Sequence, residues 1–378
     1  MINMNIAHIV STLGRMDGGG VSSSVYNLLL ALHNMGVKIS AYAMDFGNEP
    51  RGRQSFITFL ANDCMLQPLN YSRNMRKSIK MVTTDCYHVH AIWQDFVPYT
   101  INTAYRKQKP CVVSLHGSFM RESLANCGFL KRIWWKYVLH PAIKKATCIH
   151  VTSEQEYEDF RLLGYKNPVA VIPNIFFPPD NIQNYTKGDN KFRVGYLGRL
   201  HPHKQIELLI EAWKELPFDD GELSIIGHGD DTYTSYLKGI AASHRVNNIK
   251  FEGFKEGSEK FSALAQCDLM CLPSKSENFS MVVAESLSLG IPVWSSKGAP
   301  WKLLNEYNCG WWTDVSIDAI KQAIQTCKTL SKEERRGISN AARQLINDVY
   351  SPELTTKQMI EMYRWVAGYI EKPDFIQL

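Results

Sequence analysis

The sequence predicts an α/β protein of two doubly wound, Rossmann-like halves that face a central cleft. Three observations lead there. At 378 residues the chain is too long for one ordinary core and suits two domains of about 170 to 190 residues each. Strand-length apolar runs alternate with helically spaced stretches twice over, on either side of a polar segment, 176–190, that carries Pro178, Pro179 and Asp180 and has the composition of an interdomain linker. The polar and glycine-rich stretches follow strand ends, and the carboxyl ends of strands are where open parallel sheets gather their ligands.

Composition narrows the class. With 45% hydrophobic and 21% charged residues the chain is an ordinary globular protein. A net charge of +5 is modest and gives no reason to expect nucleic acid as a partner. No apolar run approaches the roughly 18 residues a spanning helix needs, and no signal core opens the chain, so a cytoplasmic protein is expected. The 9 cysteines are scattered without a C-x-x-C pair, and Cys111, Cys148 and Cys271 fall in strand-like runs, which suits buried reduced thiols rather than a metal site.

The first half begins with a strand at 6–10, a loop holding Gly18, Gly19 and Gly20, and a helix from 21 to 35 that stops at Gly36. Strand, glycine loop, helix is an arrangement in which backbone can approach a phosphate; it also simply turns a tight corner. Strands follow at 37–44 and 85–90, the second ending in His88, His90 and Trp93, which places His90 and Trp93 at a strand's carboxyl end, where a ligand could lie. The strand at 111–115 ends in His116 and Gly117, and an imidazole there can give a hydrogen bond or charge near neutral pH. Residues 121–145 read as a helix carrying Arg121, Lys131, Arg132, Lys136, Lys144 and Lys145 among Phe129, Trp134, Trp135 and Tyr137. This is either a solvated cationic face over a buried aromatic one, or a surface suited to an anionic membrane. A strand at 148–151 leads to Ser153, the expected cap of a helix with Glu156 in the third position. A strand at 169–172 and Pro173, Asn174 close the half.

The second half starts with a strand at 192–197. The loop Gly198, Arg199, Leu200, His201, Pro202, His203, Lys204 precedes a helix from 205 to 216, and two cations five apart can both reach one diphosphate. The strand at 223–226 runs into Gly227 and Gly229, and the strand at 249–254 into Phe254 and Lys255. After an apolar run, 269–272, comes the most informative stretch: Ser274, Glu277, Asn278, Phe279, Ser280, then a helical pattern through Glu285 closed by Gly290 and Pro292. Ser280 is the expected N-cap, so the N–H groups of 281–283 would be open to a ligand. Glu285 is flanked by Val282, Val283, Ala284, Leu287 and Leu289, and a carboxylate on so apolar a helix needs a protein cation or a ligand hydroxyl. Strand-like runs at 293–294 and 310–312 and an amphipathic helix from 355 to 370 complete the chain.

The stretch from Glu277 to Glu285 resembles the E-x7-E signature of retaining family 4 glycosyltransferases, which have the GT-B fold. The H-G at His116, the G-R-L-x-x-x-K from Gly198 to Lys204 and the G-x-G from Gly227 to Gly229 are similar to that family's motifs and fall in its order. The sequence departs from it at Ala91 and Ile92, where many members have Gly and Leu, and at Ile175, where a Gly is usual. The resemblance implies an acceptor-binding domain at 1–178, a nucleotide-sugar-binding domain at 190–354 and a terminal helix, about 355–378, packed back on the first domain.

It further implies that Glu277 meets donor-sugar hydroxyls, Glu285 the ribose, Arg199 and Lys204 the diphosphate, and His116 the sugar and phosphate. Gly19, Gly20, Gly198, Gly227, Gly229, Phe254, Asn278, Phe279 and Ser280 would line the donor, and His90 and Trp93 the acceptor. The implied reaction is retaining transfer of a hexosyl or N-acetylhexosaminyl group to a glycan acceptor carried on undecaprenyl diphosphate, as in bacterial surface-polysaccharide assembly. The chain has no Asp-x-Asp, and a cation pair can neutralise a leaving diphosphate in place of a metal, so no cofactor and no metal is expected. A GT-B sugar phosphorylase, a nucleotide-sugar epimerase and a non-catalytic nucleotide-sugar-binding subunit are the competing readings.

Overall fold

The computed structural model of the protein describes residues 4–13, 19–47, 54–65, 69–120, 124, 128–179, 181–216, 220–242 and 248–378. Gly18, Arg121 and Asp180 lie outside them. Among the described residues fourteen strands form two sheets: β1 (Asn5–Ile9), β2 (Lys38–Asp45), β3 (Ile57–Ala61), β4 (Cys86–His90), β5 (Cys111–Ser114), β6 (Cys148–Val151), β7 (Val169–Val171), β8 (Phe192–Leu197), β9 (Gly221–Ile226), β10 (Ile249–Gly253), β11 (Leu269–Leu272), β12 (Val293–Ser296), β13 (Gly310–Thr313) and β14 (Ile376–Gln377). The chain divides into two compact units, Met1–Ile175 with Pro352–Leu378, and Phe176–Ser351.

The first unit's sheet has the order β14-β7-β6-β5-β4-β1-β2-β3 and the second's β10-β9-β8-β11-β12-β13. All their strand pairs are parallel except β14 with β7. Both sheets are therefore doubly wound, and each reverses its winding at one point, between β1 and β4 and between β8 and β11. Ligands of such sheets bind outside the strand carboxyl ends at that point.

Strands buried on both faces explain the apolar runs. On the first sheet Ala7, Ile9, Tyr87, Val89 and Val113 join one core. Ile6, Cys86, Val112, Cys148 and Ala170 face the other, under Leu28, Leu29 and Leu32 of the helix Gly19–Asn34 and Met359, Met362 and Tyr363 of the helix Pro352–Val366. The second sheet is likewise covered on both sides.

Residues 121–145 are not one helix. A helix at Phe129–Trp134 passes into a π turn, Trp135–Leu139, and then a short helix, His140–Ile143, with Pro141 in its first turn. Proline has no N–H to continue an α-helical ladder, and a wider turn accommodates it. Trp134 and Trp135 pack against the core, and the Trp135 indole N–H donates to Tyr165 Oη at 3.1 Å. The outward apolar residues are instead Phe129, Leu130, Ile133, Tyr137 and Val138.

Candidate functional site

In the second unit the loop after β8 and the loop after β11 meet across the sheet's reversal point. Lys204 ends a 3-10 turn, Pro202–Lys204, and Gln205, at φ 50°, delays the following helix to Ile206–Lys214. From there the Lys204 ammonium forms an ion pair with Glu277, both side chains being largely shielded. The same Glu277 oxygen accepts from Ser274 Oγ at 2.7 Å, and the Glu277 N–H donates to the Gly298 carbonyl at 2.8 Å. A Cβ on Gly298 would sit 2.3 Å from the Lys275 carbonyl oxygen, so only glycine lets the loop after β12 close on Glu277. Arg199 is exposed and has no ion-pair partner among the described residues. Its carbonyl is pinned by Tyr196 Oη at 2.9 Å.

Two expected ligand contacts thus satisfy each other. A carboxylate and an ammonium removed from water need partners, and in this structure each is the other's.

Glu285 has the cation its environment demanded: 8% exposed, it accepts from Lys260 Nζ at 2.5 Å. Lys260 lies on the helix Gly257–Ala265, and nothing in the sequence marked it. Ser280 does precede the helix Met281–Ser288, but not as a capping residue. Its backbone sits at φ 67°, ψ 86° without a side-chain cap hydrogen bond, outside the extended conformation from which a serine reaches the N2 or N3 amide. The Val283 N–H is not open either, since it donates to the Ser280 carbonyl at 3.1 Å.

Phe279 departs further from expectation. Its ring is buried against Trp301 and Tyr350, and its carbonyl accepts the Trp301 indole N–H at 2.5 Å. It anchors the motif to the core and offers no side chain to a ligand. Asn278 is half-buried beside it.

Gly227 and Gly229 have a packing reason. An added Cβ would come within 1.9 Å of the Gly198 and Leu200 carbonyl oxygens respectively, because the loops after β8 and β9 run backbone to backbone, Gly198 N–H to Ile226 and Leu200 N–H to His228. Phe254 is 44% exposed and meets His228 edge to face.

In the first unit the corresponding point is lined by imidazoles. His116 follows β5 at φ 51° with Gly117 at φ 76°, a left-handed conformation costly for a residue with a Cβ. Two contacts hold it. The Gly117 N–H donates to Glu156 Oε1, and His116 Nε2 is hydrogen-bonded to His90 Nδ1 at 3.2 Å. His90 is fully buried. It supports His116 from beneath and has no surface on which an acceptor could sit. Trp93 is half-buried beside Phe119 and Trp134, with Lys131 Nζ 5.5 Å from its ring centre.

Glu156 is only half of the capping box expected. Ser153 Oγ accepts from the Glu156 N–H at 3.3 Å. The carboxylate, however, turns to Gly117 and to the Thr152 N–H at 2.8 Å, and burial pushes its pKa up to about 7. Gly19 and Gly20 are the first residues of their helix, and a Cβ on Gly20 would meet open space, so packing within the unit does not require that glycine.

Two doubly wound sheets, each with a polar cluster at its reversal point, have the two-domain architecture of the GT-B fold. The family models agree: Glycosyltransferase Family 4 matches residues 18–176 and Glycosyl transferases group 1 matches 179–345, and the chain belongs to this family. It is 24% identical over 285 residues to the uncharacterized glycosyltransferase MJ1178 of Methanocaldococcus jannaschii, covering 73% of this chain and 74% of that one. It is 25% identical over 187 residues to the starch synthase 1 of Arabidopsis thaliana, covering 46% of this chain but 28% of the synthase. Among solved structures, Anabaena Alr3699/HepE in complex with UDP superposes with a TM-score of 0.76 at 18% identity, over 95% of this chain and 99% of that one. WaaG, a glycosyltransferase involved in lipopolysaccharide biosynthesis, does so at 0.70 and 15%, over 96% and 100%. No described helix is long and apolar enough to cross a membrane.

Proposed function

We propose that the chain transfers a hexosyl or N-acetylhexosaminyl group, with retention, from a nucleotide diphosphate sugar to a lipid-linked glycan in surface-polysaccharide assembly. The observation that carries this reading is the Lys204–Glu277 pair beside the exposed Arg199, on two loops joined at the reversal point. An arriving diphosphate competes with Glu277 for Lys204 and adds the Arg199 fork. The carboxylate so released is available to the sugar hydroxyls. Donor binding and the presentation of Glu277 become one event, and the two cations then stabilise the leaving diphosphate without a metal. In the first unit His116, just past the end of β5, offers a hydrogen-bond donor to a substrate oxygen. The solved HepE carries UDP-glucose in one complex, which supports a nucleotide-sugar donor here.

The reading includes a peripheral seat on the inner face of the cytoplasmic membrane, for which the segment from Phe129 to Val138 is the support. Phe129 and Leu130 are 76% and 77% exposed, and Arg132 and Lys136 are exposed among them. Aromatic and cationic side chains so mixed suit an anionic headgroup layer.

Purified protein offered a panel of UDP- and GDP-sugars with a lipid-linked acceptor, with and without chelator, tests the reaction. Transfer from one donor that withstands chelation with retained configuration is expected. Loss of transfer on chelation would remove the metal-free mechanism, and phosphorolysis or epimerisation alone would replace the reading. Flotation with anionic liposomes tests the surface: binding should be lost when Lys131, Arg132 and Lys136 are together changed to Glu.

A further inference from the structure

Four histidines lie on one face of the first sheet, His8, His88 and His90 fully buried and His150 nearly so, and a fifth, His116, stands just past the end of β5. They form two hydrogen-bonded chains. The direction of one is fixed by its end: His150 Nε2 can only donate to the Ile172 carbonyl, at 2.9 Å. His150 Nδ1 therefore accepts from Ser114 Oγ, Ser114 accepts from His88 Nε2–H, and His88 Nδ1 accepts the Tyr363 hydroxyl, at 2.7, 2.6 and 2.6 Å. Every proton in that chain is assigned.

The other chain runs from His8 through His90 to His116. His8 Nδ1 is 3.0 Å from His90 Nε2, and His90 Nδ1 is 3.2 Å from His116 Nε2. A neutral imidazole has one N–H, so making both bonds forces all three protons to point the same way along the chain. His8 Nε2, at the buried end, has no hydrogen-bond partner among the described residues. If the protons pointed that way, His8 would bury an N–H with no acceptor, a rare and costly arrangement. With the opposite polarity only a lone pair is left there.

We propose that His8 and His90 are positioning residues that hold His116 as its Nδ1–H tautomer, a fixed hydrogen-bond donor to an oxygen of the sugar nucleotide. The tautomer follows from the chain alone; the ligand it serves rests on the function proposed above. Burial keeps the rings neutral, with the pKa values of His8 and His116 pushed down to about 3 and that of His90 well below its usual value. His116 Nδ1 has no partner among the described residues, so it is the nitrogen left for a ligand. One ring nitrogen from each of His8, His88 and His90 lies within 4.8 Å of the other two, which invites a metal, but both nitrogens of His88 are already committed to Tyr363 and Ser114.

Long-range proton–nitrogen spectra of protein labelled with ¹⁵N-histidine, assigned through His116→Gln, distinguish Nδ1–H from Nε2–H directly. The parent should show His116 protonated at Nδ1. His8→Leu removes the chain's end and should mix or invert the His116 tautomer, whereas His8→Asn, which keeps a donor near Nδ1, should retain it. In transfer assays His8→Leu should lower kcat about tenfold with little change in KM, and His8→Asn should restore most of it. An Nε2–H tautomer at His116 in the parent overturns the proposal, even if neither His8 variant folds. So does a His116 signal indifferent to His8→Leu, or a stoichiometric metal in the purified protein. A confirmed tautomer with transfer untouched in His8→Leu overturns the role in the reaction while leaving UDP and GDP binding as the separate test of the function.

Discussion

The two units place their polar groups at the same topological point and bury them by opposite means. At the β1–β4 point and the neighbouring end of β5 the groups are uncharged: His8, His90 and His116 pass hydrogen bonds along a row with no counter-ion among the described residues. Between β8 and β11 they are charged, Lys204 with Glu277, and Lys260 with Glu285 nearby. A neutral chain cannot exchange partners without leaving a buried group unsatisfied, so it fixes geometry. An ion pair at a half-open loop can trade one anion for another, so it can respond to a ligand. The first unit should therefore be sensitive to pH, and the second to anionic ligands.

The largest effect expected of a single substitution is that of Glu277→Ala, which should lower transfer by about 10²–10³-fold or more. UDP or GDP affinity should be unchanged or tighter, because Lys204 loses its competitor. Weaker nucleotide binding would make the pair a structural fixture and erase the contrast between the units. Kinetics and calorimetry on the same preparation decide it.

Acidification should separate the units next. His8 and His116 titrate at about 3 and His150 at about 4 in the folded chain, against about 6.5 unfolded. The unfolded chain then binds more protons below pH 6.5, so stability is complete above that value and lost as pH falls toward 4 and 3, by up to about 1.4 kcal/mol per histidine for each pH unit. Glu156, raised to about 7, acts in the opposite sense between its ordinary value and 7, favouring the fold as pH falls. One carboxyl does not offset several imidazoles. Hydrogen exchange at pH 7.5 and 5.5 should show loss of protection concentrated in β1, β4, β5 and β6. Equal loss in both sheets would contradict the comparison.

Lys260→Met leaves Glu285 without its cation and should cost about 2–3 kcal/mol in urea unfolding, with much of this recovered in Lys260→Met/Glu285→Gln. Failure to recover would mean that Lys260 stabilises by packing rather than by charge.

The smallest effect concerns Ala91, at φ 65° where many family members have Gly. Ala91→Gly relieves left-handed strain and should raise stability by about 0.5–1 kcal/mol. A drop in melting temperature would show that its methyl group packs usefully.

How far the sequence announces this arrangement depends on whether the signal is local. Strands β6, β8 and β11 are legible to the residue because mainly apolar runs, broken only by His150 in β6 and by Arg193 and Gly195 in β8, mark strands buried on both faces. The edge strand β3 is just as apolar, with Ile57, Phe59, Leu60 and Ala61, but is only partly buried, so its run goes unread, and the two-residue β14 is too short to carry a pattern. Glu277, Lys204 and Arg199 stand out through their spacing after strands. Their mutual pairing does not, since it depends on two loops 73 residues apart meeting. Lys260 is hidden for the same reason. His8 reads as one more residue of a core strand, and only the register of β1 against β4, His8 opposite His88, brings the rings together. Phe279 misleads in the other direction, because its place inside a ligand-binding motif says nothing of where its ring points.

The central claim is that the Lys204–Glu277 pair opens to a nucleotide diphosphate held jointly with Arg199. Calorimetric titration of UDP and GDP into the parent, Arg199→Ala and Lys204→Ala tests it most directly. Each variant should bind the preferred nucleotide about 10- to 150-fold more weakly, the loss of a charge-assisted contact of about 1.5–3 kcal/mol. If both variants bind as the parent does, the diphosphate is held elsewhere and the account of the second unit fails.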